Sequence, residues 1–290
     1  MFLKEGGILP VLLGVFAFAG SLEAQVFSVN YPNFSDCTGL QLNSSAACTG
    51  GALRLTPASL LQVGSAFLTE PVPISPGTTF AAEFTIQMGL ADCLEDDSSF
   101  GADGITFTVQ SQGPTALGSF GGGMGYLGIA PSLGVEIDTW YNPEYSDPDG
   151  NHLGINLGGS FPSVAATPIM PFWNATTSGG SGPIWFLWVD YNGSQLEVRA
   201  STSPIKPVTP TLSWTGSLFN ALGGGPAYFG FTAATGWCVQ VHDVRSFRLT
   251  VRPQAPKEVP TLGLWGLVGL VGALAGFGMW LQATKGSYHC

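Results

Sequence analysis

The chain has 290 residues, of which 45% are hydrophobic and only 10% charged, and its net charge is −10. That charge excludes a nucleic-acid-binding role, because phosphates need a basic face. The length suits one large all-β unit, and 41 glycines and 21 prolines suit many turns and few helices. Residues 1–24 place Lys4 before an apolar run that ends in small residues, which reads as a secretory signal cut after Ala24, with Ser21 as a rival site. From Gln25 to Val251 no helical period emerges. Strand-like runs occur instead at residues 78–88 (TTFAAEFTIQM), 104–110 (GITFTVQ), 133–140 (LGVEIDTW), 184–191 (IWFLWVDY), 195–201 (QLEVRAS), 227–235 (AYFGFTAAT) and 244–251 (VRSFRLTV). They alternate or run apolar, are rich in Val, Ile, Phe, Thr and Trp, and are separated by turn signals such as YNGSQ. Two packed antiparallel sheets are the expected architecture.

Residues 252–259 read as a Pro-containing spacer. Beyond it, no charge occurs from Val259 to Thr284, and residues 260–282 are long and apolar enough to cross a bilayer as a helix, with residues 283–290 as a short tail. Their glycines are tolerated in membrane helices. VPTLGLWG also resembles the C-terminal sorting signals of bacterial envelope exoproteins, which open on Ile-Pro-Thr-Leu and Trp-Gly and end in arginines; here Lys285 alone follows. The expected location is therefore secreted or on the cell envelope, anchored by this segment. Five cysteines fit an oxidising compartment. Cys37 and Cys48 are close enough for a local staple, Cys93 and Cys238 could pair across a long loop, and Cys290 is left over. The sequence leaves the pairing open.

Nine of the nineteen acidic residues lie in two short stretches. Glu95, Asp96, Asp97 and Asp103 form one; Glu136, Asp138, Glu144, Asp147 and Asp149 form the other, in VEIDTWYNPEYSDPDGNHLGI (135–155). Glu136 and Asp138 are two apart on a strand and so share a face. Asp147 returns after a Pro/Tyr/Ser loop, and His152 starts the next strand. A hard cation such as calcium takes several oxygens, and a transition ion accepts mixed carboxylate and imidazole ligands. The simpler alternative is a solvated acidic loop. An EF-hand is excluded, because its oxygen spacing and terminal glutamate are absent. Gly123, Gly125 and Gly128 spell G-x-G-x-x-G, but a turn and a strand follow rather than the helix that a dinucleotide site needs. His242 is a lone histidine and reads as structural.

The 135–155 segment resembles the metal loop of legume-type (L-type) lectins, here of a bacterial type. Other landmarks of that family follow in its order: NSSAACTGGALRLTPASLLQVGSAFLTEPVPI, GADGITFTVQ, GGGMGYLGI, IWFLWVDYNGSQLEV and AYFGFTAATGW. The resemblance covers residues 26–251 and implies a jelly-roll sandwich that binds sugar and is not an enzyme. It implies that Glu136, Asp138, Asp147 and His152 hold a transition ion, typically manganese, and that Asp138, Asp147, Asn142 and the Trp140 carbonyl hold calcium. Ser160 and Ser163 are both candidates for the family's additional serine. Glu144 and Asp149 match no ligand position. For the sugar, it implies Asp103 as carboxylate after a cis bond at Ala102, Gly125 as a backbone N–H donor, Asn142 as the amide and Trp140 as the stacking ring. Trp237 sits where the specificity loop begins. A sugar needs this set, having hydroxyls and one apolar face.

Three classes of function follow. The first is a calcium-dependent glycan-binding module whose partners are glycans, a membrane through the C-terminal segment, and a second copy of the chain. The second is a glycosidase on a similar sandwich, in which Glu136 and Asp138 imitate the paired carboxylates of that reaction. Asn142, Asp147 and His152 then have no role. The third is a structural envelope protein with a degenerate lectin fold, which the intact Asp103 and Asn142 argue against.

Overall fold

The computed structural model describes residues 25–93, 101–169 and 180–254. The signal segment, the spacer beyond Gln254, the membrane segment and the tail lie outside the described residues. Among the described residues, no helix is long and apolar enough to cross a membrane.

The described chain forms fifteen strands. In order they are β1 (Phe27–Tyr31), β2 (Leu40–Ser44), β3 (Ala47–Thr49), β4 (Ala52–Thr56), β5 (Val63–Leu68), β6 (Thr79–Cys93), β7 (Gly104–Gln110) and β8 (Ser132–Asp138). Then follow β9 (His152–Leu157), β10 (Ala165–Pro168), β11 (Ser181–Tyr191), β12 (Gln195–Ser201), β13 (Leu212–Thr215), β14 (Tyr228–Ala234) and β15 (Cys238–Arg252). One α-turn, Leu218–Ala221, is capped by the Ser217 side chain. The strands make two antiparallel sheets. The front sheet runs β10-β9-β8-β7-β14-β5-β2; the back sheet runs β13-β12-β11-β6-β15-β4-β3, with β1 added on β15. The expected two-sheet sandwich is therefore what the chain adopts.

Alternation drives the assembly. On β6, Phe80, Ala82, Phe84, Ile86 and Met88 are buried while Glu83 between them is exposed. These inward residues meet Ile105, Phe107 and Val109 of β7 and Phe229 and Phe231 of β14. Phe84 stacks on Phe107 at 5.4 Å and meets Phe231 edge-on at 5.1 Å. The front sheet departs from simple alternation, because both faces of β7 are buried. Its outward Thr106 and the Tyr126 ring of a glycine-rich loop, residues 118–129, both crowd the space above Gly134 of β8. Thr232 of β14 donates to the Met124 carbonyl of that loop at 2.8 Å. A covered outer face at this end of the sheet is what creates a walled site there.

Both disulfides form as considered from sequence: Cys37–Cys48, and Cys93–Cys238, which joins the end of β6 to the start of β15. The β6–β15 ladder runs to Arg252 opposite Thr79, so both sheets close within residues 25–254. Deletion of everything after Pro256 is therefore expected to leave a folded, soluble sandwich with one cooperative thermal transition. An insoluble product would place the distal residues in the core.

Candidate functional site

Strand register builds the site. On β8, Glu136 and Asp138 lie on one face. Asp138 pairs with Gly104 of β7 on one side and with His152 of β9 on the other. The residue before Gly104 is Asp103, so three adjacent strands deliver Asp103, Asp138 and His152 to one end of the sheet. The peptide between Ala102 and Asp103 is cis, as the resemblance implies. Asp147 returns on the loop after a short 3₁₀ turn at Pro143–Tyr145. Asp138, Asp147 and His152 come together with ligand atoms within 4.8 Å of one another. Glu136 Oε1 lies 3.4 Å from His152 Nε2, and Asp147 Oδ1 lies 3.8 Å from it.

The imidazole is held in one orientation. His152 Nδ1 lies 3.0 Å from the Asp149 carbonyl, which makes Nδ1–H the donor and turns Nε2 toward the carboxylates. Asp149 thus bonds the ring through its backbone carbonyl, with its carboxylate 3.9 Å from Nδ1. On the far side, Asn156 Nδ2 donates to Glu136 Oε2 at 2.5 Å, and the Ser163 hydroxyl contacts both Glu136 and Asn156. Of the two candidate serines, Ser163 is at the cluster; Ser160 is exposed and bonds the Phe161 carbonyl. A Cβ at Gly154, opposite Glu136, would collide with the Glu136 carboxylate and the Ser163 hydroxyl. Asn156 and Gly154 were missed from sequence, although His152, Gly154 and Asn156 share one strand face.

Next to this cluster is a pocket of about 290 Å³. Its lining includes Asp103, Gly122, Trp140, Asn142, Gly236 and Trp237. Four of the five residues expected at a sugar site are thus brought together. Gly125 is not. It is buried, and its N–H donates to the Ser119 carbonyl at 2.8 Å. Gly122 occupies the pocket instead, and a Cβ there would lie 2.6 Å from Asn142 Oδ1. The 118–129 loop turns back on itself between the two glycines, which is why counting along GGGMG does not identify the one that faces the pocket. His242 is far from these groups in role: it is fully buried against Thr56 at 2.6 Å, and burial lowers its pKa to about 3.

The legume lectin domain model matches residues 26–263. The chain belongs to the legume lectin family. Among its relatives, the probable inactive L-type lectin-domain containing receptor kinase III.1 of Arabidopsis thaliana is 27% identical over 89% of this chain and 45% of its own length. The probable L-type lectin-domain containing receptor kinase I.5 of the same plant is 30% identical over 71% of this chain and 32% of its own length. The chain therefore spans less than half the length of these curated relatives. The lectin from Bauhinia forficata in complex with GalNAc is similar in structure, with a TM-score of 0.64 and 23% identity over 78% of this chain and 98% of the other. That likeness shows the fold. The lectin domain is a binding family and carries no enzymatic activity of its own.

The donor set of this lectin domain fits a cation. At the site, three buried polar atoms have no hydrogen-bond partner among the described residues: Asp103 Oδ2, Asn142 Oδ1 and His152 Nε2. All three are lone-pair donors, and buried groups of this kind are ordinarily satisfied. The carboxylates are also costly without positive charge beside them. Burial, then Glu136, pushes the Asp138 pKa well up, against a 2.7 Å bond from the Trp140 N–H. Burial raises Asp103 to about 7 and Asp147 to about 6, against backbone N–H bonds from Gly236 and Asn142 respectively. Burial opposes the charged form of His152, but Glu136 and then Asp147 outweigh it and raise its pKa.

These directions set a pH dependence. In cation-free protein, a carboxylate with a raised pKa destabilises the fold as pH climbs from its unfolded value near about 4 toward its folded value. That loss is complete above pH 7 for Asp103 and Asp147 and is absent at low pH. A bound cation removes the penalty, and protons compete with it. Chelation is therefore expected to lower the melting temperature strongly at pH 7.5 and little at pH 4.5, measured by differential scanning calorimetry on one protein batch.

Proposed function

We propose that the protein is a carbohydrate-binding module that depends on calcium and a second divalent transition metal, manganese being the ion that the family resemblance implies. The observation that carries this reading is that the acid–histidine cluster adjoins the pocket: Asn142 lines the pocket and its N–H donates to Asp147 Oδ2 at 2.7 Å, and Asp103 lines the pocket while its charge acts on Asp138. Glu136, Asp138, Asp147 and His152 would hold the transition ion. Asp138, Asp147, Asn142 and the Trp140 carbonyl would hold calcium. Bound there, the cations supply fixed positive charge that keeps the carboxylates ionised. Asp103 then accepts hydrogen bonds from sugar hydroxyls, Asn142 donates to them, and the Gly122 N–H takes the donor role expected of Gly125. Trp140 and Trp237 offer aromatic faces to the apolar side of the ring. Binding of GalNAc by the Bauhinia lectin supports this class of ligand.

Secretion and anchoring belong to the same proposal. Two disulfides fit an oxidising compartment, and residues 260–282 are apolar enough to hold the module at a membrane or to serve as a sorting signal. A bacterial origin rests on that C-terminal segment alone, as the relatives named above are plant proteins. A glycan array probed with and without chelator tests the central claim, and light scattering of the same sample gives the number of copies per particle. Chelator-sensitive glycan capture without sugar release is the expected result. Metal-independent capture, release of sugar, or no capture at all would sink it.

A further inference from the structure

Asp103 is held from behind. Its carbonyl accepts two bonds from Thr139, just past β8: one from the N–H at 2.9 Å and one from the hydroxyl at 3.2 Å. The same hydroxyl lies 3.3 Å from Gln240 Oε1. Gln240 is on β15, two residues past Cys238, and is fully buried. A local irregularity aims it there. Val239 pairs with Asp92 and Val241 with Gly89, so Gln240 alone faces both Leu90 and Ala91 of β6. That is a β-bulge on β6, with Leu90 at a φ of 49°. Gln240 shares a strand face with His242, whose register partner Met88 is in the core. Its carbonyl accepts from the Thr56 hydroxyl of β4 at 3.3 Å, which fixes the backbone beneath the side chain. The amide itself closes on the segment that leads into Asp103. A Cβ at Gly101 would lie 2.7 Å from Gln240 Nε2 and 3.0 Å from the Ala91 Cβ.

We infer that Gln240 is a positioning residue for the sugar site: from inside the sandwich, its amide holds Thr139 and the 101–103 segment so that the Asp103 carboxylate stays aimed into the pocket. This rests on the sugar reading of that pocket. Hydrogen-bond chemistry says how the amide acts. A hydroxyl has one hydrogen to give. With Oε1 toward Thr139, Gln240 competes with the Asp103 carbonyl for that hydrogen, and Nε2 is buried with no hydrogen-bond partner among the described residues. A buried donor without a partner is costly. Which end of an amide is nitrogen is settled by the bonds around it. The reversed amide gives Nε2 a partner in Thr139 Oγ1 and frees the hydroxyl hydrogen for the Asp103 carbonyl. The relay then runs from Gln240 through Thr139 to Asp103, and only its last member meets the sugar. Thr139 stands between Asp138 and Trp140 in the chain, so the relay also fixes Asp103 relative to residues assigned to the cations.

The test uses the full chain loaded with calcium and manganese. Its probe is the array glycan that wild-type protein captures most strongly, measured by titration calorimetry. Gln240→Met keeps the length of the side chain and removes the amide. It should bind that glycan about tenfold more weakly, the scale of one neutral hydrogen bond, with metal content unchanged. Thr139→Val should do the same, and Thr139→Ser, which keeps the hydroxyl, should restore what Thr139→Val loses. The deciding readout is a double-mutant cycle. On top of Asp103→Asn, Gln240→Met should weaken binding by no more than about twofold, because the charged acceptor that it positions is already gone. Thr139→Val carries the same cycle should Gln240→Met not fold. An equal loss in both backgrounds would make Gln240 a general support of the pocket and overturns the inference. So does unchanged affinity in Gln240→Met, loss of metal along with glycan, or a Thr139→Ser variant as weak as Thr139→Val. If wild-type protein captures no glycan although metals are present, the sugar reading itself fails and the positioning role fails with it.

Discussion

Asp138→Ala and Asp147→Ala are each expected to abolish glycan binding and to lower the melting temperature by about 10 °C at neutral pH. Asp138 is at the centre of the site by register, between Gly104 and His152, and its charge acts on Glu136, Asp147 and Asp103. Removing it deletes a ligand from both proposed cation positions and leaves the other acids facing one another unpaired. A cation that binds only the folded state stabilises it by mass action, about 4 kcal/mol at a thousandfold excess over Kd. At roughly 2–4 °C per kcal/mol for a domain of this size, the shift follows. The readouts are metal content by mass spectrometry, thermal unfolding with and without chelator, and glycan capture. Wild-type protein should fall to the melting temperature of the variants when chelated, and the variants should not respond to chelator. A variant that keeps stoichiometric calcium and full stability would remove Asp138 or Asp147 from the cation site.

The parts of this molecule that were legible in its sequence are those set by local periodicity. GITFTVQ and QLEVRAS coincide with β7 and β12 to the residue, because each is bounded by turn chemistry and runs apolar on the core face. The short strands β1 to β5 are less marked. Their apolar positions alternate over five residues or fewer in β1–β4, and pairing to distant partners, such as β1 to β15, decides them. The same division holds at the site. Glu136 and Asp138 share a face by strand geometry alone, and their partners Asp147 and His152 fall where the loop returns. What required the fold was anything set by a turn. Gly122 rather than Gly125 reaches the pocket because of how the 118–129 loop doubles back, and Ser163 rather than Ser160 reaches Glu136 because of how the chain turns between β9 and β10. Asn156 was accessible in principle, since it is two positions from Gly154 on the face that carries His152.

Asp103→Asn separates a sugar-binding lectin domain from a sandwich that only holds metal. Asp103 is 4% exposed, and its carboxylate lines the pocket, while Asp138 and Asp147 meet His152 at the cluster. Its backbone is fixed independently of its side chain: the N–H donates to the Ala234 carbonyl at 3.0 Å, and its carbonyl accepts from Thr139 N–H at 2.9 Å. The amide therefore keeps the shape and the backbone bonds while removing the charge and turning one acceptor into a donor. Hydrogen bonds to a charged group are worth about 1.5–3 kcal/mol, so glycan affinity should fall about 10- to 150-fold. Metal content should stay near that of the wild type. The variant should even gain stability in chelator at pH 7.5, because a carboxylate held up to about 7 by burial no longer has to ionise there. Trp140→Ala provides the second arm. It removes a ring from the pocket but keeps the backbone N–H that bonds Asp138 and the carbonyl assigned to calcium. It too should lose glycan and keep metal. Undiminished glycan binding by Asp103→Asn with metals bound would show that the sugar sits elsewhere on the molecule, and the shared use of Asn142 by the two sets of groups would then be a feature of the cation site alone.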